Sequence, residues 1–437
     1  MQKRSVRRIA VAAVLVAGMC LYSAPAMAVS SNIVSETKGK TELTVSQIKD
    51  LAVIYNPTNK SYALNQKNLD LNQTTTSNSL RKAQNSLNSG YDIDTSSVTA
   101  LQNEINVLLA AGASEEEMAD LRAQLSQAQA AVDSAYTAME SSFESAIRNI
   151  EQLNNTLDSY DDEQDDLNKN KSDWEIQVRM IAEVLCMQVT QYEKNIVLLE
   201  DQITLAEKAL NLAQVQQELG MALTIDVQSN QVSLEDAKQS LETAEENLSN
   251  VKRQINVLIG RDQDHELEVV TRSVPVIVSI IPSYSEALVQ EFIDNDYTLK
   301  TYERSIANYK DEVDGETNSD VLQAADNKIE AVKLNAEERE RTIANNVKSQ
   351  LAKMMTDKAS YETSQIQMAT EKQNLEVAQT KYDLGMVTAS ELLQAEISYQ
   401  STVVTHWKNS YNYYLDWQEY KAMKEGIDIS TYSSYRI

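Results

Sequence analysis

The chain has 437 residues and a formal net charge of −26, and it contains 9 glycines, 4 prolines, 2 phenylalanines and 20 tyrosines. So little glycine and proline excludes a turn-rich β fold, and the abundance of Ala, Leu, Gln, Glu and Lys favours long helices. The negative charge argues against nucleic-acid binding, because few cations are available to neutralise phosphates.

Residues 1–28 have the features of a secretory signal peptide. A basic start is followed by an apolar stretch over 9–21 and by the small-x-small sequence Ala26-Met27-Ala28. We therefore expect an exported protein that begins at Val29, with a formal net charge of −30 once four basic residues are removed. No later segment approaches the ~20 apolar residues that a membrane-spanning helix needs.

Two segments of the chain repeat at an offset of 165 residues. Segments 210–221 and 375–386 share Leu, Ala, Gln, Leu, Gly and Met at matching positions, and an acidic residue follows each in register. This predicts a tandem duplication. Its parts are a first helical repeat over 29–260, a linker over 261–283 with candidate strands at 266–270 and 274–281, a second repeat over 284–426 and a tail over 427–437.

The first repeat contains more helix than the second. Apolar residues at three- and four-residue spacing predict a helix over about 173–219, roughly 70 Å long at 1.5 Å per residue. Such a helix is stable only in a coiled-coil-like assembly. Residues 87–168 have no counterpart in the second repeat. They predict an added helical hairpin that turns near Gly112, with a capping-box sequence, Ser114-Glu-Glu-Glu117, at the start of its second arm.

The two Leu-Gly-Met segments resemble the TolC family of outer-membrane efflux proteins. The resemblance rests on residues 219–228, on residues 384–394 and on the duplication itself, and it covers about 43–428 outside the added hairpin. It implies an all-α fold of long antiparallel coiled-coil helices, in which each chain is one protomer of a homotrimeric α-barrel. It also implies that the tube receives substrates from an ABC or other inner-membrane pump through a periplasmic membrane-fusion adaptor.

The resemblance places the two Leu-Gly turns at the entrance of the tube. It implies adaptor-docking tips that contain Gly220, Met221, Leu223, Thr224, Gly385, Met386, Thr388 and Ser390. Independently, Gly220 and Gly385 fit the position after a helix end, where φ is positive. Thr388 and Glu391 have capping-box spacing. The same turns can be interpreted as plain helix-hairpin turns, and the two interpretations are compatible.

The entrance gate of the family matches this sequence only in part. The gate residues that the resemblance implies are Asp226, Tyr382, Glu391 and Gln394. Ile225 and Val387 replace the Thr and the Arg of the family's bond network, and Gln394 replaces the second of two acidic rings. We therefore expect a looser entrance. Glu391 either faces the pore, caps its own helix, or does both.

The membrane strands of the family have no counterpart in this sequence. Each family repeat supplies two strands between its first and second long helices, and each strand needs ~10 alternating residues. Here those places are taken by the added hairpin and by the acidic segment 308–332, which lack this alternation. We therefore predict a relative of the family without the transmembrane β-barrel. The resemblance implies a protein of the outer membrane. If the strands are absent, we expect a periplasmic or other extracytoplasmic protein of the cell envelope.

The leading functional hypothesis is a component of an efflux or export duct. The alternative is a non-conducting extracytoplasmic coiled-coil scaffold derived from the same family; an adaptor protein ranks below both, because lipoyl-type domains are not evident. An enzyme is not expected, and neither a cofactor nor a metal site is predicted, because the chain has 2 histidines and 2 cysteines. The tyrosines around Tyr411 and Tyr414 predict packing rather than a ligand-binding belt.

Overall fold

The computed structural model describes residues 39–88, 93–221, 223–270, 280–314 and 316–427. The expected signal peptide, the tail beyond residue 427 and most of the candidate strand 274–281 lie outside these residues. Within them the chain is almost entirely helical and contains two strands of three residues each, so the all-α class is confirmed.

The order of elements occurs twice along the chain. The first half contains β1 Glu42–Thr44, α1 Val45–Tyr55, α2 Pro57–Asn88, α3 Ser96–Ala110, α4 Glu115–Glu218 and α5 Thr224–Leu258. The second half contains β2 Glu268–Val270, α6 Glu286–Asn295, α7 Tyr297–Glu312, α8 Ser319–Asp383 and α9 Ala389–Lys424. Helix α3 alone has no counterpart in the second half. The division into two repeats as domains stays a prediction.

Both halves have the same break near their beginning. Asn56 separates α1 from α2, and Asp296 separates α6 from α7, each in extended backbone. Asp296 also caps α7, since its side chain accepts a hydrogen bond from the backbone N–H of Leu299 at 3.0 Å. The starts of the halves are joined directly, because β1 and β2 pair in parallel with Leu43 opposite Val269. The candidate strand 266–270 thus forms in part, whereas β1 had no signal in the sequence.

Helix α4 begins far earlier than the periodicity predicts. Its 104 residues run without interruption from Glu115, about 156 Å at 1.5 Å per residue, and the expected start near residue 173 is wrong. The turn at Gly112 is confirmed, and so is the capping box of Ser114 with Glu117. The second arm of the added hairpin is therefore the first part of α4. The reason is that neither glycine nor proline lies between residues 113 and 219 to stop the helix.

Helices α2 and α3 lie one after the other along this part of α4. Tyr62 donates to the backbone carbonyl of Asn170 at 3.2 Å, and Gln73 donates to Asp161 at 3.1 Å. Helix α2 is therefore antiparallel to α4, and α3 continues in the same direction to the Gly112 turn. We call α2, α3 and residues 115–168 of α4 the first-repeat arm. The added residues lengthen an existing helix pair and do not pack as a separate hairpin.

The core lies where the two halves meet, around the C-terminal end of α9. One cluster joins the middle of α4 to α1, α5, both strands and α9; its fully buried members include Ile48, Val184, Val189 and Ile255. A second joins α6, α7 and α8 to α9 and includes Phe292, Val347 and Met354. The tyrosines of α9 serve packing, as predicted, since Tyr411, Tyr413, Tyr414 and Tyr420 are all buried.

In the described part of the chain, no helix combines the length and the apolar character needed to cross a membrane.

Candidate functional site: the two helix-hairpin tips

The first candidate tip is the turn that joins α4 to α5. Gly220 has a φ of +70° and donates to the carbonyl of Gln217 at 2.9 Å, and Met221 donates to the carbonyl of Gln216 at 2.7 Å. This pair of bonds is a Schellman motif, which closes a helix and needs a residue that tolerates positive φ. Thr224 begins α5, and its hydroxyl accepts from the Gln217 side chain at 2.9 Å. Thr224 therefore ties the new helix to the one that has just ended.

The second candidate tip, between α8 and α9, repeats the first. Gly385 also has a φ of +70° and donates to the carbonyl of Tyr382 at 2.9 Å, and Met386 donates to the carbonyl of Lys381 at 2.8 Å. The predicted positive φ is thus confirmed at both tips. A Cβ at Gly220 or Gly385 would meet no atom within 4 Å. Glycine is needed here for its backbone conformation and not for space.

Both tips present large apolar side chains to solvent. The exposed fractions are 68% for Leu219, 76% for Met221, 69% for Leu223, 63% for Ile225, 69% for Leu384 and 70% for Met386. Burying one such side chain contributes about 1.5–3 kcal/mol. Exposed apolar groups that lie close together on a surface are typical of protein–protein contacts. Each tip therefore leaves apolar area exposed that contact with another protein could bury.

Glu391 caps the helix that follows the second tip. The N–H and the hydroxyl of Thr388 donate to its carboxylate at 2.7 and 3.0 Å, and its own N–H donates to the Thr388 hydroxyl at 3.2 Å. The predicted capping box is confirmed. These bonds from Thr388 stabilise the carboxylate and lower the pKa of Glu391. Ser390 lies in the same first turn and is exposed.

The four candidate gate residues are not joined to one another in a single chain. The carboxylate of Asp226 accepts from the backbone N–H of Leu223 at 2.9 Å and so caps α5. Tyr382 is 41% exposed, and Gln394 is exposed as well. Across the described residues, no hydrogen bond connects Asp226 with Tyr382.

Sequence reasoning missed a buried polar contact between the two halves. The hydroxyl of Tyr414 on α9 donates to Glu183 on α4 at 2.7 Å, and Lys49 on α1 forms an ion pair with the same carboxylate at 2.7 Å. Burial, followed by the charge of Glu183, raises the pKa of Tyr414. The three residues lie far apart in the sequence, so no motif could have revealed them.

A second buried group joins α8 to α9. Lys353 forms an ion pair with Glu419 at 2.7 Å and lies 3.4 Å from Asp416, and both carboxylates are almost completely buried. Burial, followed by the neighbouring Asp357, raises the pKa of Asp416 to about 8. The spacing of Asp416 and Glu419 places them on one face of α9, but that spacing alone cannot distinguish a buried face from an exposed one.

A cavity of about 600 Å³ lies between α4, the α6–α7 junction, α8 and the end of α9. Its charged side chains bind one another: Arg339 donates to Asp296 at 2.7 Å, and Lys169 pairs with Asp173. Lys169 also donates to the backbone carbonyl of Gly426 at 3.1 Å, and this contact joins the first half to the second at the base of the first-repeat arm. The cavity is far along the helices from the two tips.

Comparison with solved structures finds outer-membrane channels. The chain is similar to the CmeC outer membrane channel of Campylobacter jejuni, with 13% identity and a TM-score of 0.42 over 62% of this chain and 68% of that one. It is similar to CusC, a transmembrane channel, with 13% identity and a TM-score of 0.45 over 88% and 96% of the two chains. It is similar to the outer membrane protein VceC of Vibrio cholerae, with 12% identity and a TM-score of 0.39 over 59% and 73%. No family model and no curated protein matches the chain.

Proposed function

We propose that the protein is a conduit component of an export or efflux system in the cell envelope. Three copies form a helical tube, and the two tips of each copy dock a membrane-fusion adaptor that connects the tube to an ABC or other inner-membrane pump. The observation that carries the proposal is the pair of matching tips. Two turns of the same geometry close long helices, and both present apolar side chains to solvent.

Assembly with further copies would cover apolar side chains along the helices that lead to the tips. These side chains are more than half exposed in one chain: Leu212, Val215, Val232, Ile366 and Val377. Helices of this length are stable when neighbouring helices cover such positions. In a tube, the α4–α5 and α8–α9 hairpins of one copy are flanked by hairpins of the next copy, which buries these residues.

A non-conducting extracytoplasmic scaffold is the second candidate function. It is favoured by the local use of the acidic gate residues, since Asp226 caps α5 and Glu391 caps α9. Helix capping requires no pore. A scaffold of this kind would keep the coiled-coil framework and bind a wall component or a surface protein.

The mass and shape of the exported protein separate the two functions. Light scattering without detergent, followed by negative-stain imaging, should give a trimer of hollow cylinders if the chain is a conduit. A monomeric or dimeric rod would contradict the conduit and favour the scaffold.

Docking at the tips is tested by photo-crosslinking in living cells. A photoreactive residue placed at Met221 or Met386 should capture an adaptor, identified by mass spectrometry. The same residue at Leu334, which is 57% exposed on α8 away from the tips, serves as the control. Capture of the same proteins from all three positions would contradict docking at the tips.

A further inference from the structure

We propose that the first-repeat arm is an interface between copies of this chain, in which α2 of one copy lies against α4 of the next. The arm lies at the N-terminal end of α4, whereas Gly220 follows its C-terminal end, so the proposed interface is separate from the tips. The interface extends the proposed assembly of copies to this end of the molecule, but it rests on observations of the arm and not of the tips.

The arm buries too few side chains to be stable by itself. Its buried residues are Leu69 on α2, Ile105 on α3 and Met118 on α4, and the next buried residue of α4 is Val178. The arm is roughly 80 Å long at 1.5 Å per residue. A stable helix pair of that length buries an apolar residue at every third or fourth position. The arm therefore needs a partner along most of its length.

The second half of the same chain contacts the base of the arm. Arg304 on α7 donates to Asp162 and Asp166 at 3.3 and 2.7 Å, and Tyr297 donates to Asp166 at 2.6 Å. Helix α7 ends at Glu312 after 16 residues, whereas α2 runs for 32 residues and α3 continues beyond it. The outer faces of α2 and α4 above this base are mostly exposed.

The outer face of α2 is both basic and apolar. Lys60, Lys67 and Arg81 are separated by multiples of seven residues, so they lie on one side of the helix, opposite the side that contacts α4. Leu64 and Leu71 lie beside them and are 61% and 56% exposed. Within the described residues, these three basic side chains form no ion pair with their own chain. The face offers positive charge and apolar area that a single copy leaves unused.

The outer part of α4 has the opposite charge. Residues 115–168 carry fourteen acidic and two basic side chains, a net charge of −12, whereas α2 carries four basic and one acidic, a net charge of +3. A uniformly anionic partner would attract α2 but repel α4, and a cationic partner would do the reverse. A second copy offers both signs, so α2 of one arm meets α4 of its neighbour. Because two different faces meet, the contact can repeat around a closed ring.

Zero-length crosslinking tests this contact in the full exported protein. A carbodiimide joins a lysine amine to a carboxylate without a spacer, and covalent dimers are then separated from monomers. We expect peptides that join Lys60 or Lys67 to acidic residues of 115–168 in the dimer fraction and not in the monomer fraction. Their restriction to the monomer fraction would overturn the interface.

A charge reversal gives a second, independent readout. K60E/K67E should raise hydrogen exchange in α2 at least tenfold, because the neighbouring acidic face then repels it. The matched control is K300E/K310E, which changes two exposed lysines of α7 and should alter exchange in α2 less than twofold. Hollow trimers with unchanged exchange in K60E/K67E would overturn the arm interface and leave the tube standing. Arm crosslinks without hollow cylinders would support the interface and refute the tube.

Discussion

Replacing Gly426 with alanine should destabilise the packing of the end of α9 against the α6–α7 junction far more than the same change destabilises a tip. Gly426 has a φ of +70°, and an alanine Cβ would lie 2.2 Å from the carbonyl oxygen of Asn295 and 2.9 Å from its carbonyl carbon. Both are backbone atoms, so no side-chain rotation can relieve the contact. Gly385 has the same φ, but an alanine Cβ at that position would have no atom within 4 Å. Comparing the two alanine variants therefore separates the cost of a positive φ from the cost of the overlap with Asn295.

The expected losses differ because only one site combines both effects. A left-handed conformation costs an L-residue about 1–2 kcal/mol, which is the whole loss expected for Gly385→Ala. At Gly426, overpacking adds about 1–3 kcal/mol, because the end of α9 or the α6–α7 junction must move. Gly426→Ala is therefore expected to lose about 2–5 kcal/mol of the free energy of unfolding.

Urea unfolding followed by tryptophan fluorescence measures this difference. Trp417 lies in one core cluster and Trp407 packs against the other, so both report on the region around the end of α9. Gly112→Ala is a second control, since Gly112 has a φ of +80° and also has no neighbour within 4 Å. Equal losses for Gly426→Ala and Gly385→Ala would refute the idea that the close backbone contact with Asn295 requires glycine at position 426.

Three further predictions concern buried and capping groups. Asp416→Asn should flatten the pH dependence of the free energy of unfolding. Burial raises the pKa of Asp416 to about 8. The contribution of Asp416 to stability is therefore complete below about pH 4 and is lost as the pH rises through 8. Urea unfolding at pH 5, 7 and 9 checks this, and an unchanged slope in the variant would contradict it. Tyr414→Phe should cost about 1.5–3 kcal/mol of unfolding free energy, because Glu183 loses a buried donor at 2.7 Å; Tyr399→Phe, at a half-buried site, is the control. Thr388→Ala should speed hydrogen exchange in the first turn of α9 about fivefold by removing its cap, whereas Thr405→Ala, later in α9, should not.

The helix ends of this protein could be predicted because glycine is so rare. The positions of Gly220 and Gly385 predict that each closes a helix, and both have positive φ. The capping boxes at Ser114 and Thr388 were equally visible, since each involves residues three positions apart. The start of α4 differs from the prediction, because the helix continues through the added residues, and neither glycine nor proline follows Ser114 before Gly220.

In the candidate site, too, local features could be predicted from the sequence and contacts between distant residues could not. The turns and the caps of the tips are local features, and the sequence predicts them correctly. Neither the hydrogen bond of Tyr414 with Glu183, across 231 positions, nor the pairing of β1 with β2 has a local signal. The capping roles of Asp226 and Glu391 are local too, since each carboxylate accepts from a residue three positions earlier.

The helical class and the places where the helices turn follow from the amino-acid sequence. These features depend on backbone sterics and on hydrogen bonds within a few residues, and the chain carries the residue types that decide them. The packing of the helices against one another sets which part of each helix is buried. It placed Asp416 and Glu419 in the core, left the arm with buried Leu69, Ile105 and Met118, and joined α2 to α4 along the added residues. Those outcomes depend on which helices pack together, and long polar helices with similar periodicity offer several packings that the sequence alone does not distinguish.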